Sequence, residues 1–170
     1  LARRAYEAAF RANPSDARLL YERDQLWKRL GVAPATRLRE LERHPSLVVQ
    51  RDDLTVEFCA LLNQSGQAGR ALPIIAARKF QPWEGGEGPA PGQHVRTHLF
   101  LGRTALAAGH ASEAAKDFSV ALIAPKNLGE AKHLLANQSD IHFWLGEALA
   151  ATGNVAAARE QWRQAATFRG

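Results

Sequence analysis

The sequence LGRTALAAG at residues 101–109 returns 44 residues later as LGEALAATG at residues 145–153. The similarity continues downstream with alanine, a large aromatic residue and alanine at matching positions, which are Ala114, Phe118 and Ala121 against Ala158, Trp162 and Ala165. A sequence that recurs at a fixed interval indicates a repeated structural unit. These two segments therefore decide the fold that we predict for the chain.

Each segment has the features of a closely packed pair of helices. Gly102 and Gly146 have no side chain, so a second helix can approach the first at these positions. Gly109 and Gly153 follow the last apolar turn, where glycine commonly ends a helix. The small, large, small pattern downstream packs the second helix back against the first. The spacing therefore predicts two helix-turn-helix units.

Helical periodicity extends over the rest of the chain. Apolar residues recur at helical intervals, and no segment shows the sustained alternation that is typical of a strand. Turn signals divide the chain into short helices, at residues 13–16, 31–34, 44–46, 65–66, 109–110, 125–127 and 153–154. The sequence therefore predicts an all-α fold.

The pattern resembles the tetratricopeptide repeat (TPR), a helix-turn-helix unit of about 34 residues. Two units match well, and two degenerate units place Asp24 and Cys59 where the family has glycine. The resemblance implies one right-handed TPR-like α-solenoid of antiparallel helix pairs over residues 1–170. It implies a truncated repeat at 1–14, helix pairs at 15–45, 52–79, 95–124 and 139–168, and insertions at 80–94 and 125–138.

Composition restricts the class of protein. The 170 residues are 46% hydrophobic and 23% charged, which is typical of a folded globular chain. The single cysteine excludes an intrachain disulfide and a multi-cysteine zinc site. No segment has the roughly 18 apolar residues of a membrane span, so we expect no membrane partner. The location that we expect is cytoplasmic. Because the chain has no methionine, we expect it to be a piece of a longer protein.

Positive charge is concentrated in the first 51 residues, which carry 11 Lys/Arg and 6 Asp/Glu. The arginines are scattered among acids, mostly at helical spacing, as Arg18, Arg23, Arg29, Arg37, Arg39 and Arg43. This pattern favours solvated, salt-bridged helix faces. Nucleic acid is not expected as a partner, because a nucleic-acid surface gathers its arginines on one face with aromatic residues between them.

Two insertions interrupt the repeats. The first, FQPWEGGEGPAPG at residues 80–92, is rich in glycine and proline, so we expect it not to be helical. The second, NLGEAKHLL at residues 127–135, is expected to form a short extra helix. With the repeat between them they resemble the C-terminal region of large bacterial proteins that begin with the β-rich domain of unknown function 5107, thought to be related to carbohydrate-active enzymes. The resemblance implies that any catalysis lies wholly or partly outside this chain.

Three sets of side chains have the chemistry of a site. His94 and His98 have the i, i+4 spacing of metal ligands, but Val95 replaces the glutamate of the zinc-protease signature, so surface or packed histidines are the preferred interpretation and no metal is expected. Glu84 and Glu87 could pair for glycoside chemistry, although a glycine-rich loop is a poor support for them. An alternative ligand pocket, polar and aromatic as sugars favour, would combine Trp83, Glu84, Glu87, His98, His133 and His142.

The TPR resemblance also implies a concave groove lined by the first helix of each pair. The candidates for contact with a peptide are Arg18, Tyr21, Gln25, Lys28, Asn63, Arg96, Arg103 and Glu147. Leu99, Asp140 and Phe143 occupy further groove positions. Arginines beside a few apolar residues suit an extended acidic or amphipathic peptide.

We therefore expect a non-catalytic protein-protein interaction or intramolecular scaffold module, without a cofactor, since each repeat needs only its neighbours to present a concave surface. Its partner would be a protein or peptide, or an upstream domain of the same chain. The alternative function is an accessory part of a carbohydrate-processing active site that a missing N-terminal domain completes.

Overall fold

The computed structural model describes residues 2–81, 88–130 and 136–167, and all regular structure within these ranges is helical. The all-α prediction is therefore confirmed, whereas the right-handed TPR-like solenoid stays a prediction. The chain divides into two compact units, Leu1–Gln67 and Ala68–Gly170, called here unit 1 and unit 2. Among the helices of the described ranges, none combines the length and the apolar character that crossing a bilayer requires.

Unit 1 consists of helices that pack around α2. The helices are α1 (Ala2–Ala12), α2 (Ala17–Arg29), α3 (Pro34–Glu42), α4 (Pro45–Val48) and α5 (Asp52–Gln64). Asp16 begins α2, because its Oδ1 accepts hydrogen bonds from the backbone N–H groups of Arg18 and Leu19 at 2.8 and 3.1 Å. Leu20 on α2 is fully buried, and α2 contacts each of the other four helices.

Two arginines expected on solvated helix faces are buried, so that prediction is wrong for Arg23 and Arg37, which are 5% and 3% exposed. Arg37 on α3 donates from Nε and Nη2 to the carboxylate of Asp24 on α2, at 3.0 and 2.5 Å. Its Nη2 also donates to Glu57 on α5 at 2.6 Å. Arg23 donates to Glu40 on α3 at 2.5 Å. These ion pairs join different helices, so both arginines point inward.

Unit 2 consists of consecutive helices joined by turns and by the insertions. The helices are α6 (Ala68–Ala77), α7 (Pro89–Ala107), α8 (Ala111–Ala121), α9 (Ser139–Ala151) and α10 (Val155–Thr167), with a 3₁₀ turn at Lys126–Leu128. α7 packs on α8, α8 on α9 and α9 on α10. Phe118 and Ala121 on α8 share one buried cluster with Ile141 and Leu145 on α9.

Both predicted close approaches are present. A Cβ atom on Gly102 would lie less than 3.0 Å from the ring of Phe118, and a Cβ atom on Gly146 would lie less than 3.0 Å from the ring of Trp162. Cβ atoms in proteins essentially never come this close to other heavy atoms. Glycine is therefore the residue that allows these aromatic rings to pack against the facing helix. Each aromatic ring therefore fills the gap between the two helices of its own pair.

Helix α7 begins within the glycine- and proline-rich insertion. The prediction that residues 80–92 are not helical is wrong for residues 89–92, because α7 starts at Pro89. Proline is tolerated in the first turn of a helix, where the backbone N–H groups have no intrahelical acceptor. Gly88 precedes the helix with φ of +90°, a conformation that disfavours residues with side chains.

In the described part of the second insertion, hydrogen bonds connect the 3₁₀ turn to the end of α6. The Nδ2 of Asn127 donates hydrogen bonds of 2.9 Å to the backbone carbonyls of Ile75 and Arg78, at the end of α6. The backbone N–H of Phe80 donates to the carbonyl of Asn127 at 2.7 Å. The short helix predicted over residues 127–135 falls partly on residues 131–135, which lie outside the described ranges. Within the described part, the segment forms only the 3₁₀ turn at Lys126–Leu128.

Candidate functional site

Unit 2 contains a cavity of about 740 Å³ beside α7, the end of α8, the 3₁₀ turn and the start of α9. We call it the α7–α9 cavity. Its larger apolar lining residues are Val95, Leu99, Leu122, Ile123, Leu128 and Ile141. Ligand pockets in proteins have volumes of roughly 300–1,000 Å³ and mostly apolar walls with a few polar groups. The volume and the mostly apolar lining of this cavity therefore fall within the range of ligand pockets.

The apolar lining residues come together through helical spacing on α7 and through the 3₁₀ turn. Val95 and Leu99 are four residues apart, so they lie on the same face of α7. Ile123 follows Leu122, the residue that caps α8, and is 62% exposed. Leu128 in the 3₁₀ turn and Ile141 on α9 are almost fully buried. The cavity therefore combines buried and half-buried apolar side chains with the exposed side chain of Ile123.

Among the residues that the structure describes, three charged side chains line the cavity, and helix N-termini engage two of them. Glu130 Oε2 accepts a hydrogen bond of 2.6 Å from the backbone N–H of Gly88, at the start of α7. Asp140 Oδ1 accepts one of 2.9 Å from the N–H of Ile141, in the first turn of α9. Negative charge is stabilised at such positions by the helix dipole. Arg96 is exposed and forms no ion pair with any residue in the described ranges.

His94 and His98 are packed histidines of the helix pair, as the preferred interpretation predicts. Both are buried, and their rings meet edge to face with centroids 4.7 Å apart. His94 Nε2 lies 3.3 Å from the carbonyl oxygen of Val120, and His98 Nδ1 lies 2.9 Å from Oδ1 of Asp117. Burial, followed by the neighbouring His98, lowers the pKa of His94, which lines the α7–α9 cavity. No cluster of three potential metal ligands occurs among residues 2–81, 88–130 and 136–167.

The lowered pKa of His94 predicts a loss of stability in mild acid. The unfolded chain binds a proton at His94 near pH 6.5, whereas the folded protein binds it only at lower pH. The free energy of unfolding therefore falls as the pH drops below about 6.5. Denaturant unfolding between about pH 5 and 8 measures this slope, and His94→Gln is expected to flatten it. The exposed His110→Gln is the control, and an equal slope in all three proteins would contradict the prediction.

The groove candidates of unit 1 lie on α2 and α5. On α2, Arg18 pairs with Glu22 at 3.4 Å, and Lys28 pairs with Glu57 at 2.8 Å. The other α2 candidates also have neighbours, since Gln25 contacts Asp24 at 3.4 Å and the Arg51 guanidinium lies 5.8 Å from the centre of the Tyr21 ring. Asn63 on α5 is only 5% exposed. These side chains are therefore engaged in polar contacts or, for Asn63, buried.

Most groove candidates of unit 2 lie at two concavities, and Arg103 lies at neither of them. Arg96, Leu99 and Asp140 line the α7–α9 cavity. Glu147 lines a second concavity, together with Phe143 and again Asp140. The guanidinium of Arg103 lies 4.7 Å from the centre of the Trp144 ring, between successive helix pairs. In unit 2, therefore, predicted groove positions do border concave surfaces.

The alternative ligand pocket is only partly described. Trp83, Glu84, Glu87 and His133 lie outside the described residues. His98 faces Asp117 across the α7–α8 pair, and Nδ1 of His142 lies 2.7 Å from Oε1 of Gln161 across the α9–α10 pair. These two contacts occupy equivalent positions of the 44-residue repeat. Neither histidine lines the α7–α9 cavity, and no Trp, Tyr or Phe does so among the described residues.

Sequence reasoning missed the cavity residues that follow α8. Leu128 and Glu130 belong to the second insertion, so they have no position in the repeat pattern, and Ile123 lies at the end of the preceding helix pair. The apolar sequence ALIA at residues 121–124 is a signal for them, because its apolar residues continue past Ala121, where α8 ends. No family model matches the chain, and no solved structure matches it significantly.

Proposed function

We propose that the chain is a non-catalytic protein-interaction module. In this proposal, the α7–α9 cavity of unit 2 binds an extended peptide segment of a partner protein. The segment supplies one or two large apolar side chains and, beside them, a carboxylate. The observation that carries the proposal is the combination of an apolar cavity with Arg96, an exposed cation that has no ion-pair partner among the described residues.

The apolar lining of the cavity supports the proposed preference for large apolar side chains. Burying a leucine- or phenylalanine-sized side chain contributes about 1.5–3 kcal/mol, and a cavity of about 740 Å³ has room for such groups. Ile123 is 62% exposed and would lose water contact when the cavity is filled. An extended peptide places alternate side chains on one side, so two of its residues can enter the same cavity.

The charge distribution in the cavity supports the proposed preference for a carboxylate beside those side chains. Glu130 and Asp140 are held at helix N-termini, so among the described lining residues the positive charge of Arg96 is left for a ligand. A guanidinium can bind a carboxylate with two parallel hydrogen bonds, which is a strong and orientation-specific contact. An acidic residue next to the apolar anchor is therefore the expected feature of the peptide.

This proposal is tested by selecting, from a random peptide library, the peptides that bind to the chain. We expect enrichment of a large apolar residue next to Asp or Glu, and binding of the selected peptide measured by fluorescence anisotropy. Arg96→Glu is expected to weaken that binding about tenfold or more, since it replaces attraction by repulsion. Ile123→Ser is expected to weaken it several-fold through lost apolar contact.

The matched control is Arg159→Glu, which makes the same charge change at an exposed position of α10 outside the cavity lining. It is expected to leave the affinity unchanged. Equal effects of Arg96→Glu and Arg159→Glu would contradict the proposed site. Selection of no apolar and acidic motif, or saturable binding of oligosaccharides instead of peptides, would overturn the proposed function.

A further inference from the structure

A second concavity, of about 620 Å³, lies on the α9–α10 pair. Phe143 and Glu147 on α9 line one side of it, and Trp162, Ala165 and Ala166 on α10 line the other. We call this surface the α9–α10 face. It is partly apolar and open, with Phe143 45% exposed.

The 44-residue repeat identifies the same face on the preceding helix pair. The residues equivalent to Phe143, Glu147, Trp162, Ala165 and Ala166 are Leu99, Arg103, Phe118, Ala121 and Leu122. On that pair a helix covers part of the face, because α9 packs Ile141, Leu145 and Ala148 against Phe118 and Ala121. Leu99 and Leu122, at the edge of the same face, line the α7–α9 cavity. As a result Phe118 is fully buried.

The α9–α10 face has no such cover among the described residues. Trp162, the counterpart of Phe118, is only half-buried. The sequence positions that contact a helix on one pair are therefore repeated on the next pair. A helix that fits it would carry apolar residues at the i, i+4, i+7 spacing of Ile141, Leu145 and Ala148.

Charge distinguishes the two faces. On the covered face, the guanidinium of Arg103 lies 4.7 Å from the centre of the Trp144 ring of the covering helix. On the α9–α10 face, Glu147 stands at the position of Arg103, and no described residue forms an ion pair with it. A helix docked in the same way would place the side chain at its Trp144 position next to Glu147. A basic side chain there complements the carboxylate.

We infer that the α9–α10 face binds an amphipathic α-helix of a partner protein that carries Lys or Arg beside its apolar stripe. The interaction is separate from the proposed peptide binding in the α7–α9 cavity, since different residues carry it. Asp140 lines both concavities, but the charge that selects the basic helix is Glu147.

A pair of stapled helical peptides tests this inference on the intact chain. Both peptides carry Ile, Leu and Ala at the α9 spacing, and they differ only in Arg or Glu at the position before the Leu, which corresponds to Trp144. We expect the Arg peptide to bind about fivefold more tightly than the Glu peptide in fluorescence anisotropy at low salt. Glu147→Lys is expected to reverse this preference.

Further variants test whether the peptides bind at the α9–α10 face and not at the α7–α9 cavity. Phe143→Ser removes an exposed apolar contact and is expected to weaken both peptides, whereas Arg96→Glu in the α7–α9 cavity is expected to change neither. Equal affinity for the two peptides, or a preference that Glu147→Lys does not alter, would overturn the inference. Concentration-dependent dimerisation in sedimentation that Phe143→Ser abolishes would assign the face to a second copy of the chain and would also overturn it.

Discussion

Gly102→Ala is expected to lower the free energy of unfolding of unit 2 by about 1–3 kcal/mol, whereas Gly69→Ala leaves it unchanged or raises it by up to about 1 kcal/mol. Alanine normally stabilises a helix relative to glycine, because glycine loses more backbone entropy on folding. The same substitution is thus expected to have opposite signs at two helical positions of one unit.

The physical reason is the distance to the facing helix. A Cβ atom on Gly102 would lie less than 3.0 Å from three atoms of the Phe118 ring, which is fully buried and has neighbours on α9. The ring cannot move away without disturbing the α8–α9 contact. A Cβ atom on Gly69 would meet no heavy atom within 4 Å. Overpacking therefore outweighs helix propensity at the first position and is absent at the second.

Denaturant unfolding followed by circular dichroism measures both variants against the wild type. Near-ultraviolet spectra report whether the aromatic packing of unit 2 is kept. If Gly102→Ala were as stable as Gly69→Ala, the close packing of α7 on α8 would be wrong.

Arg37→Met is expected to destabilise unit 1 by about 3–5 kcal/mol. The side chains of Arg37 and Asp24 are each 3% exposed, and that of Glu57 is 11% exposed. Without the guanidinium, Asp24 is left as a buried carboxylate that lacks its two hydrogen bonds of 3.0 and 2.5 Å. Glu57 keeps its contact with Lys28 at 2.8 Å, so the larger part of the loss is expected from Asp24.

Arg43→Ala is the matched control within the same unit. Arg43 pairs with Glu40 at 3.2 Å, but its side chain is 74% exposed, so removing it is expected to cost less than about 1 kcal/mol. Comparing the stability losses of the two variants distinguishes a buried ion pair from one at the surface. Equal stability losses would contradict the buried position of Arg37.

A compensated variant checks the cause of the loss. Replacing Arg37 by Met and Asp24 by Leu together removes the cation and its closest carboxylate. We expect this variant to recover most of the stability that Arg37→Met loses, because the main penalty comes from an uncompensated buried charge. Failure to recover would indicate that the hydrogen bonds themselves, and not the desolvated carboxylate, carry the effect.

The helix pairs of unit 2 are predictable because their signals are local. Glycine at 102 and 146, with Phe118 and Trp162 sixteen residues later, marks a contact between two helices that are adjacent in sequence. The turn geometry is local as well, since Gly109 and Gly153 have φ of +83° and +85°. Short-range steric rules of this type act within one helix-turn-helix unit.

The burial of Arg23 and Arg37 could not be predicted in the same way. Their spacing to acids within one helix is that of ordinary surface pairs. Whether an arginine points to solvent or to a carboxylate on another helix depends on how three helices converge. Asp24, Arg37 and Glu57 are far apart in sequence, and only their packing creates a site in which charges are desolvated and paired.

The sequence by itself determined that this chain is helical, where most of its helices end and which glycines admit an aromatic ring. Those properties depend on backbone propensity and on contacts within a single repeat. The tertiary structure alone decided that residues of α7, α8, the 3₁₀ turn and α9 line one cavity and that Arg96 has no ion pair there with any described residue. Both depend on side chains from separate segments meeting in space, which no local pattern of residues encodes.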